Sequence, residues 1–187
     1  MTRDLYHAVE ACPVIAAVKD EAGLERILAL ENRVVFVLSG DLLSIGETLR
    51  RLREADKLAV VHLDLIQGLS GKEAAVDFLK VQGADGIITT KPPLIRRARE
   101  LGLGAVLRFF IFDSMSLQTM ERTARECRPD LVEILPGIMP KVIARIRQNL
   151  PIPLICGGLV AEKSDVLDAL KAGALAVSTS DPDLWSI

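Results

Sequence analysis

Gly83-Ala84-Asp85-Gly86-Ile87-Ile88-Thr89-Thr90 returns, altered, as Gly173-Ala174-Leu175-Ala176-Val177-Ser178-Thr179-Ser180. Each stretch opens on a glycine where a helix should stop, runs through a short apolar segment and ends in hydroxyl side chains. The two follow the third and the seventh helical segments of the chain, so the fourth and eighth strands occupy equivalent places in two halves. A half-repeat of four βα units is natural in an eightfold closed barrel and awkward in an open doubly wound sheet.

Working outward from this pair, short apolar runs alternate with helix-like spacing throughout. The runs are Val14–Val18, Val34–Leu38, Leu58–Asp64, Gly86–Thr89, Ala105–Ile111, Leu131–Leu135, Leu154–Cys156 and Leu175–Ser178. Between them the apolar spacing turns helical, as in Ala74, Val76, Phe78, Leu79 and Val81, or Val142, Ile143 and Ile146. Ser44 with Glu47 and Ser70 with Glu73 have capping-box spacing. Gly83, Gly102 and Gly173 suit helix stops, and Pro92 and Pro140 suit first helical turns. The alternation predicts an α/β fold, a compact TIM-barrel-like parallel βα-barrel of eight short strands joined by seven helices. Each unit averages about 23 residues against roughly 30 in a typical barrel, so the helices must be short. The tail Asp181–Ile187 has no room for a full eighth helix after the last strand, which leaves complete closure open. No linker or low-complexity tract divides the chain, and residues 1–187 read as one domain.

Composition agrees. Hydrophobic residues make up 50% of the chain but aromatics only 4%, so the apolar mass is aliphatic, as in strands covered by helices. A net charge of -2 provides no whole-molecule field toward nucleic acid or anionic membrane, and either would need a local basic patch. Cys12, Cys127 and Cys156 are odd in number and far apart, which indicates neither a disulfide framework nor a zinc site. The segment Met1–Cys12 lacks an apolar signal core and no apolar run has the length of a membrane span, so a cytoplasmic protein is expected.

In a βα-barrel, function sits at the C-terminal ends of the strands. Those ends carry Lys19, His62, Asp64, Lys91, Arg108 and Glu133. Parity puts His62 and Asp64 on one face, and Arg108 in phase with Val106 and Phe110. Charged groups inside apolar strands are costly unless paired or bound to something. Structural ion pairs such as Arg108–Glu133 or Lys19–Asp64 are the plain alternative to a binding site. Cys156-Gly157-Gly158 and Ser178-Thr179-Ser180 follow strands seven and eight, where barrels of this class often hold phosphate on loop amides. Gly157 and Gly158 would let amides approach an anion, and Ser178 and Thr179 would add hydroxyl donors. No P-loop, G-x-S-x-G or metal-ligand spacing is present, so no catalytic residue, metal or cofactor is assigned.

Six runs stand in order: Val14-Ile15-Ala16-Ala17-Val18-Lys19, His62-Leu63-Asp64-Leu65-Ile66-Gln67-Gly68-Leu69, Asp85 to Pro92, Arg108-Phe109-Phe110, Glu133-Ile134-Leu135-Pro136-Gly137-Ile138-Met139-Pro140-Lys141, and Gly157-Gly158-Leu159. Together they resemble the glycerol-3-phosphate-responsive antiterminator family, also called glycerol uptake operon antiterminator regulatory proteins, from about Val14 to Trp185. The resemblance implies a TIM-barrel-like regulator rather than an enzyme. It would sense glycerol 3-phosphate, bind leader mRNA of glycerol-utilisation genes and promote transcription antitermination. By strand-end position, the effector would then lie among Lys19, His62, Asp64, Lys91, Arg108, Glu133, Gly157, Gly158, Ser178 and Thr179. The basic residues available for RNA are Arg96, Arg97 and Arg99 on one helix and Lys141 and Arg145 on another, although solvated outer faces are the simpler explanation of each cluster. RNA-stacking aromatics look scarce, since Tyr6 and Trp185 are the only tyrosine and tryptophan. The oligomeric state stays open, a homodimer being the assembly to test. A phosphosugar or triose-phosphate lyase or isomerase on the same barrel is the alternative, with Lys19, His62, Asp64 or Glu133 as acid–base groups.

Overall fold

The structure, a computed structural model, describes residues 3–187. An N-terminal helix, α1 (Arg3–Ala11), precedes the first strand. Then follow β1 (Val14–Val18), α2 (Glu21–Leu28), β2 (Val34–Val37), α3 (Ile45–Glu54), β3 (Leu58–His62), α4 (Glu73–Gln82), β4 (Gly86–Thr89), α5 (Pro92–Glu100), β5 (Gly104–Phe110), α6 (Ser114–Cys127), β6 (Leu131–Leu135), α7 (Pro140–Asn149), β7 (Leu154–Gly157), α8 (Lys163–Lys171) and β8 (Ala176–Thr179). All neighbouring strands are parallel and the order runs β1 to β8 in sequence, with β8 hydrogen-bonded back to β1. The barrel is closed.

Strand parity divides the apolar side chains into two shells. Val14, Ala16 and Val18 of β1 face outward, packed with Leu24 and Ile27 of α2, and β2 to β7 repeat this arrangement against the helices that follow them. The alternate residues Ile15, Phe36, Val60, Ile88, Val106, Leu131, Ile155 and Ala176 fill the barrel interior. Each such side chain, removed from water, contributes roughly 1.5–3 kcal/mol.

The described residues hold eight α-helices, one more than the seven expected. Seven join the strands, and the eighth is α1. Its Leu5 and Val9, one turn apart, enter the interior cluster and plug the N-terminal end of the barrel. Gly104 makes room for this plug, because a Cβ there would lie 2.4 Å from Leu5 Cδ2. After β8, a 3-10 turn over Pro182–Leu184 and the buried Trp185 stand where an eighth connecting helix would pack. Asn32 Nδ2 ties this tail down by donating to the carbonyls of Trp185 and Val14, both at 3.0 Å.

The half-repeat is reproduced atom for atom at its threonines. Thr89 Oγ1 accepts from the Lys91 amide at 3.2 Å, and Thr179 Oγ1 accepts from the Asp181 amide at 3.1 Å. In both halves a proline follows that turn and begins a helical segment. Gly83 caps α4 at φ 92°, the left-handed conformation a glycine stop supplies. The two expected capping boxes do not form. At α3, Asp41 rather than Glu47 takes the Leu43 and Ser44 amides, and α4 starts from Lys72, two residues after Ser70. A reciprocal box forms instead at α6, between Asp113 and Ser116.

Candidate functional site at the barrel mouth

The interior changes character toward the C-terminal end. One step beyond Val60, Val106, Leu131 and Ala176 on the same inward faces stand His62, Arg108, Glu133 and Ser178, all buried. Glu133 is completely shielded from water, and both its oxygens are held. Arg108 Nε donates to Oε2 at 2.6 Å from the register-paired position on β5, and the Ser178 hydroxyl donates to Oε1 at 2.6 Å. Gly157 gives this triad its space, since a Cβ there would lie 2.4 Å from Ser178 Oγ and 2.7 Å from Glu133 Oε1.

The terminal nitrogens of Arg108 form no hydrogen bond with the described protein groups, which leaves the planar fork available at the cavity wall. His62 lies beside it. Burial, reinforced by the Arg108 charge, pushes its imidazole down to a pKa of about 4, so the ring is neutral at pH 7. Its Nδ1 is buried and has no hydrogen-bond partner among the described residues. An orphaned polar atom of that kind points to a ligand or water that belongs there.

A cavity of about 120 Å³ opens above this layer, lined among others by Arg108, Glu133, Gly158, Ser178, Thr179 and Ser180. Gly158 (φ 73°) and Leu159 (φ 59°) both adopt left-handed backbone at its rim. Leu159 does so despite its side chain, an arrangement often found around ligand sites.

The remaining candidates divide. Asp64 leaves the inward face because the chain turns into a 3-10 turn (Leu63–Leu65) directly after His62. Its Oδ2 accepts from the Thr89 hydroxyl at 3.0 Å and the Thr90 amide at 2.9 Å, and Lys91 Nζ lies 3.0 Å from Oδ1. Burial alone would raise its carboxyl, but the Thr90 amide, Lys91 and Thr89 outweigh it and hold the group below the usual carboxylate range. The pairing is therefore Lys91–Asp64, not Lys19–Asp64. Lys19 is exposed just past β1, outside the lining of the cavity. Thr179 borders the cavity, yet its hydroxyl donates to Val160 O at 3.2 Å and fastens the β7–α8 loop. Ser180, which sequence reasoning left out of the candidate residues, lines the cavity, as do Ala17 of β1 and Leu38 just past β2. Strand-end position flagged Ser180; nothing in the sequence flagged the aliphatic walls.

A second, larger cleft of about 440 Å³ lies next to the mouth, with Arg108 in the lining of both. Phe109, Phe110, Phe112 and Met115 frame it, with Thr90, Ser116 and Thr119 among its polar groups. The outer helices carry the basic candidates. Arg96, Lys141 and Arg145 are exposed and form no ion pair among the described residues. Arg97 is bound to Asp77 at 2.7 Å and Glu100 at 2.9 Å. Arg99 points to the opposite end of the barrel, where Nη1 donates to Arg128 O. No group of three or more His, Cys, Asp or Glu able to hold a metal ion occurs among the described residues. No described helix is long and apolar enough to cross a membrane.

The sequence profile of the glycerol-3-phosphate responsive antiterminator family matches residues 14–185. The chain belongs to this family. The Escherichia coli (strain K12) protein YgcP is 40% identical over 184 residues, covering 98% of this chain and 96% of YgcP. Among solved structures, the glycerol uptake operon antiterminator regulatory protein of Listeria monocytogenes superposes with a TM-score of 0.89 at 31% identity, covering 92% of this chain and 94% of that one. A glycerol uptake operon antiterminator-related protein from Thermotoga maritima gives a TM-score of 0.83 at 36% identity, covering 92% and 96%. Membership of the antiterminator family supports a regulatory role, and the closed barrel is the fold that these relatives share.

Proposed function

We propose that this antiterminator-family protein is a cytoplasmic sensor of glycerol 3-phosphate that binds the leader mRNA of glycerol-utilisation genes and lets transcription pass a terminator. The observation that carries the effector reading is the buried Arg108 fork, fixed through Nε by Glu133 and left open at its terminal nitrogens toward a small cavity. A guanidinium of this kind receives phosphate oxygens bidentately. Gly158 and Ser180 line the same cavity, and their loop amides complete an anion cradle with the guanidinium, while His62 sits beside Arg108, outside the cavity lining. The cavity matches a three-carbon phosphate better than a larger sugar phosphate. Ser178 acts by holding Glu133, and Lys19 and Lys91 add positive field at the rim.

The charge distribution supports the RNA half of the reading. Residues 92–150, which span α5 to α7, contain ten Lys and Arg against six Asp and Glu, whereas the rest of the chain has thirteen against nineteen. The net charge of -2 conceals a basic sector whose unpaired members include Arg96, Lys141 and Arg145.

Calorimetry with glycerol 3-phosphate, glycerol and inorganic phosphate tests the effector. Glycerol 3-phosphate should bind best and glycerol weakly; equal affinity for the two would remove the phosphate site. A mobility-shift assay on a glycerol-operon leader at fixed salt tests the regulation. The effector should tighten RNA binding roughly 5- to 150-fold, the usual range for allosteric coupling. Identical affinity with and without it would leave a binder that is not a sensor.

A further inference from the structure

Among the described residues, six of the eleven exposed large hydrophobic side chains lie on βα loops around the barrel mouth, and Phe110 at the end of β5 and Met115 in the first turn of α6 adjoin them. The densest group spans the end of β5 to the start of α6, where Phe112 is 83% and Met115 73% exposed. The Phe110 and Phe112 rings are stacked nearly parallel, 7° apart with centroids at 6.1 Å.

The backbone that presents these rings is tied down. The Phe112 and Asp113 amides both donate to Ser116 Oγ, at 2.9 and 3.0 Å, and the Ser116 amide donates back to Asp113 Oδ1 at 2.8 Å. The capping box of α6 therefore fixes the backbone that presents the rings. A backbone fixed ahead of binding lowers the conformational entropy lost when something stacks on the rings it carries. The cleft below combines these flat apolar faces with Arg108, Asp113 and the Thr90 and Thr119 hydroxyls, which can meet the polar edge of a planar ring. Of the helices on either side, α6 is charge-balanced, with Arg122 and Arg125 against Glu121 and Glu126, whereas α5 carries Arg96 exposed and without an ion pair among the described residues, so negative charge on an occupant should lie toward α5.

We infer that the Phe110–Phe112 cleft takes an unpaired RNA base, stacked on the phenyl rings, while the adjoining phosphates run toward α5. The inference rests on the RNA-binding reading above and adds to it the place and the mode of contact. Single-stranded RNA is recognised mainly by such stacking. Because Arg108 lines both the effector cavity and this cleft, effector and base share a wall.

The test uses the full chain saturated with glycerol 3-phosphate and the leader RNA of a glycerol-utilisation operon from the same organism. Phe112→Ala should weaken binding roughly 5- to 150-fold, the equivalent of about 1–3 kcal/mol per stacked base. The slope of affinity against salt should stay unchanged, since no phosphate contact is lost. Phe112→Trp should keep the affinity, and its fluorescence should be quenched on addition of RNA, readable because the native Trp185 is buried. If the unmodified protein binds the leader and Phe112→Ala binds it equally well, the stacking site is wrong while RNA binding stands. If the unmodified protein binds no leader RNA, both readings fall. A dimer that Phe112→Ala dissociates, with RNA affinity untouched, would make this surface a contact between copies and overturn the inference.

Discussion

Arg108 and Glu133 face each other across the register of β5 and β6, joined by a 2.6 Å hydrogen bond at the base of the mouth. Glu133 has no access to water, so the pair is a structural necessity for the acid and an orienting device for the base. Removing one partner should therefore harm more than removing both. Arg108→Ala should destabilise the fold by about 3–5 kcal/mol, because it leaves an uncompensated buried carboxylate. Arg108→Met combined with Glu133→Leu should recover much of that stability and still fail to bind glycerol 3-phosphate. Urea denaturation beside calorimetry separates the two effects. A double variant that binds the effector normally would show that the pair only closes the barrel.

His62 predicts an acid-sensitive fold. Its folded-state pKa of about 4 lies below the ordinary value near 6.5, so the unfolded chain takes up the proton first as pH falls. Stability from this group is complete above pH 6.5 and declines as pH drops toward 4, by up to about 3 kcal/mol. The neighbouring charges that bear on the ring are Arg108, which opposes its protonation, and Asp64, which favours it. His62→Gln should flatten the decline between pH 6.5 and 4 in a melting-temperature series. An equally steep decline in that variant would assign it to other groups.

Gly157 should tolerate no side chain. The backbone there needs no left-handed conformation, so the obstacle is space alone: an added Cβ would meet Ser178 Oγ and Glu133 Oε1. Gly157→Ala should cost about 1–3 kcal/mol by overpacking and weaken effector binding by displacing Glu133. Adding Ser178→Ala removes one of the two clashing atoms and should restore part of the stability. Thermal melts of the single and double variants decide this; additive losses would contradict it. Gly158 is a poorer probe of the site, because its φ of 73° makes any side chain there a backbone defect as well.

The arginines of α5 should not contribute equally to RNA binding. Arg96 is exposed without an ion-pair partner among the described residues, whereas Arg97 is bound to Asp77 and Glu100. Arg96→Ala should lower the slope of log affinity against log salt by about 0.7 to 1. Arg97→Ala should change it far less. Filter binding across a salt series gives both slopes, and equal reductions would mean that Arg97 exchanges its carboxylates for phosphate.

The sequence by itself determined the parallel βα architecture. Alternating short strands and helices leave few topologies, and the Gly83–Thr90 and Gly173–Ser180 echo favours a barrel, while its complete closure rests on the β8–β1 pairing seen in the structure. It also determined that charge gathers at the strand ends, since a charged residue in phase with Val106 or Leu131 must face the interior. Three further things were decided only by tertiary structure. One is the α1 plug: Leu5 and Val9 become core residues only once a barrel end exists to receive them. Another is the partition of the strand-end charges, because the 3-10 turn after His62 hands Asp64 to Lys91 and keeps Glu133 for Arg108 and Ser178. The last is the exposed Phe110–Phe112 surface. Aromatic residues in an apolar stretch read as core, and only the direction in which the α6 cap turns the chain sets these rings against solvent. Periodicity is a property of neighbours along the chain, whereas pairing and exposure depend on which groups from distant segments arrive at the same place.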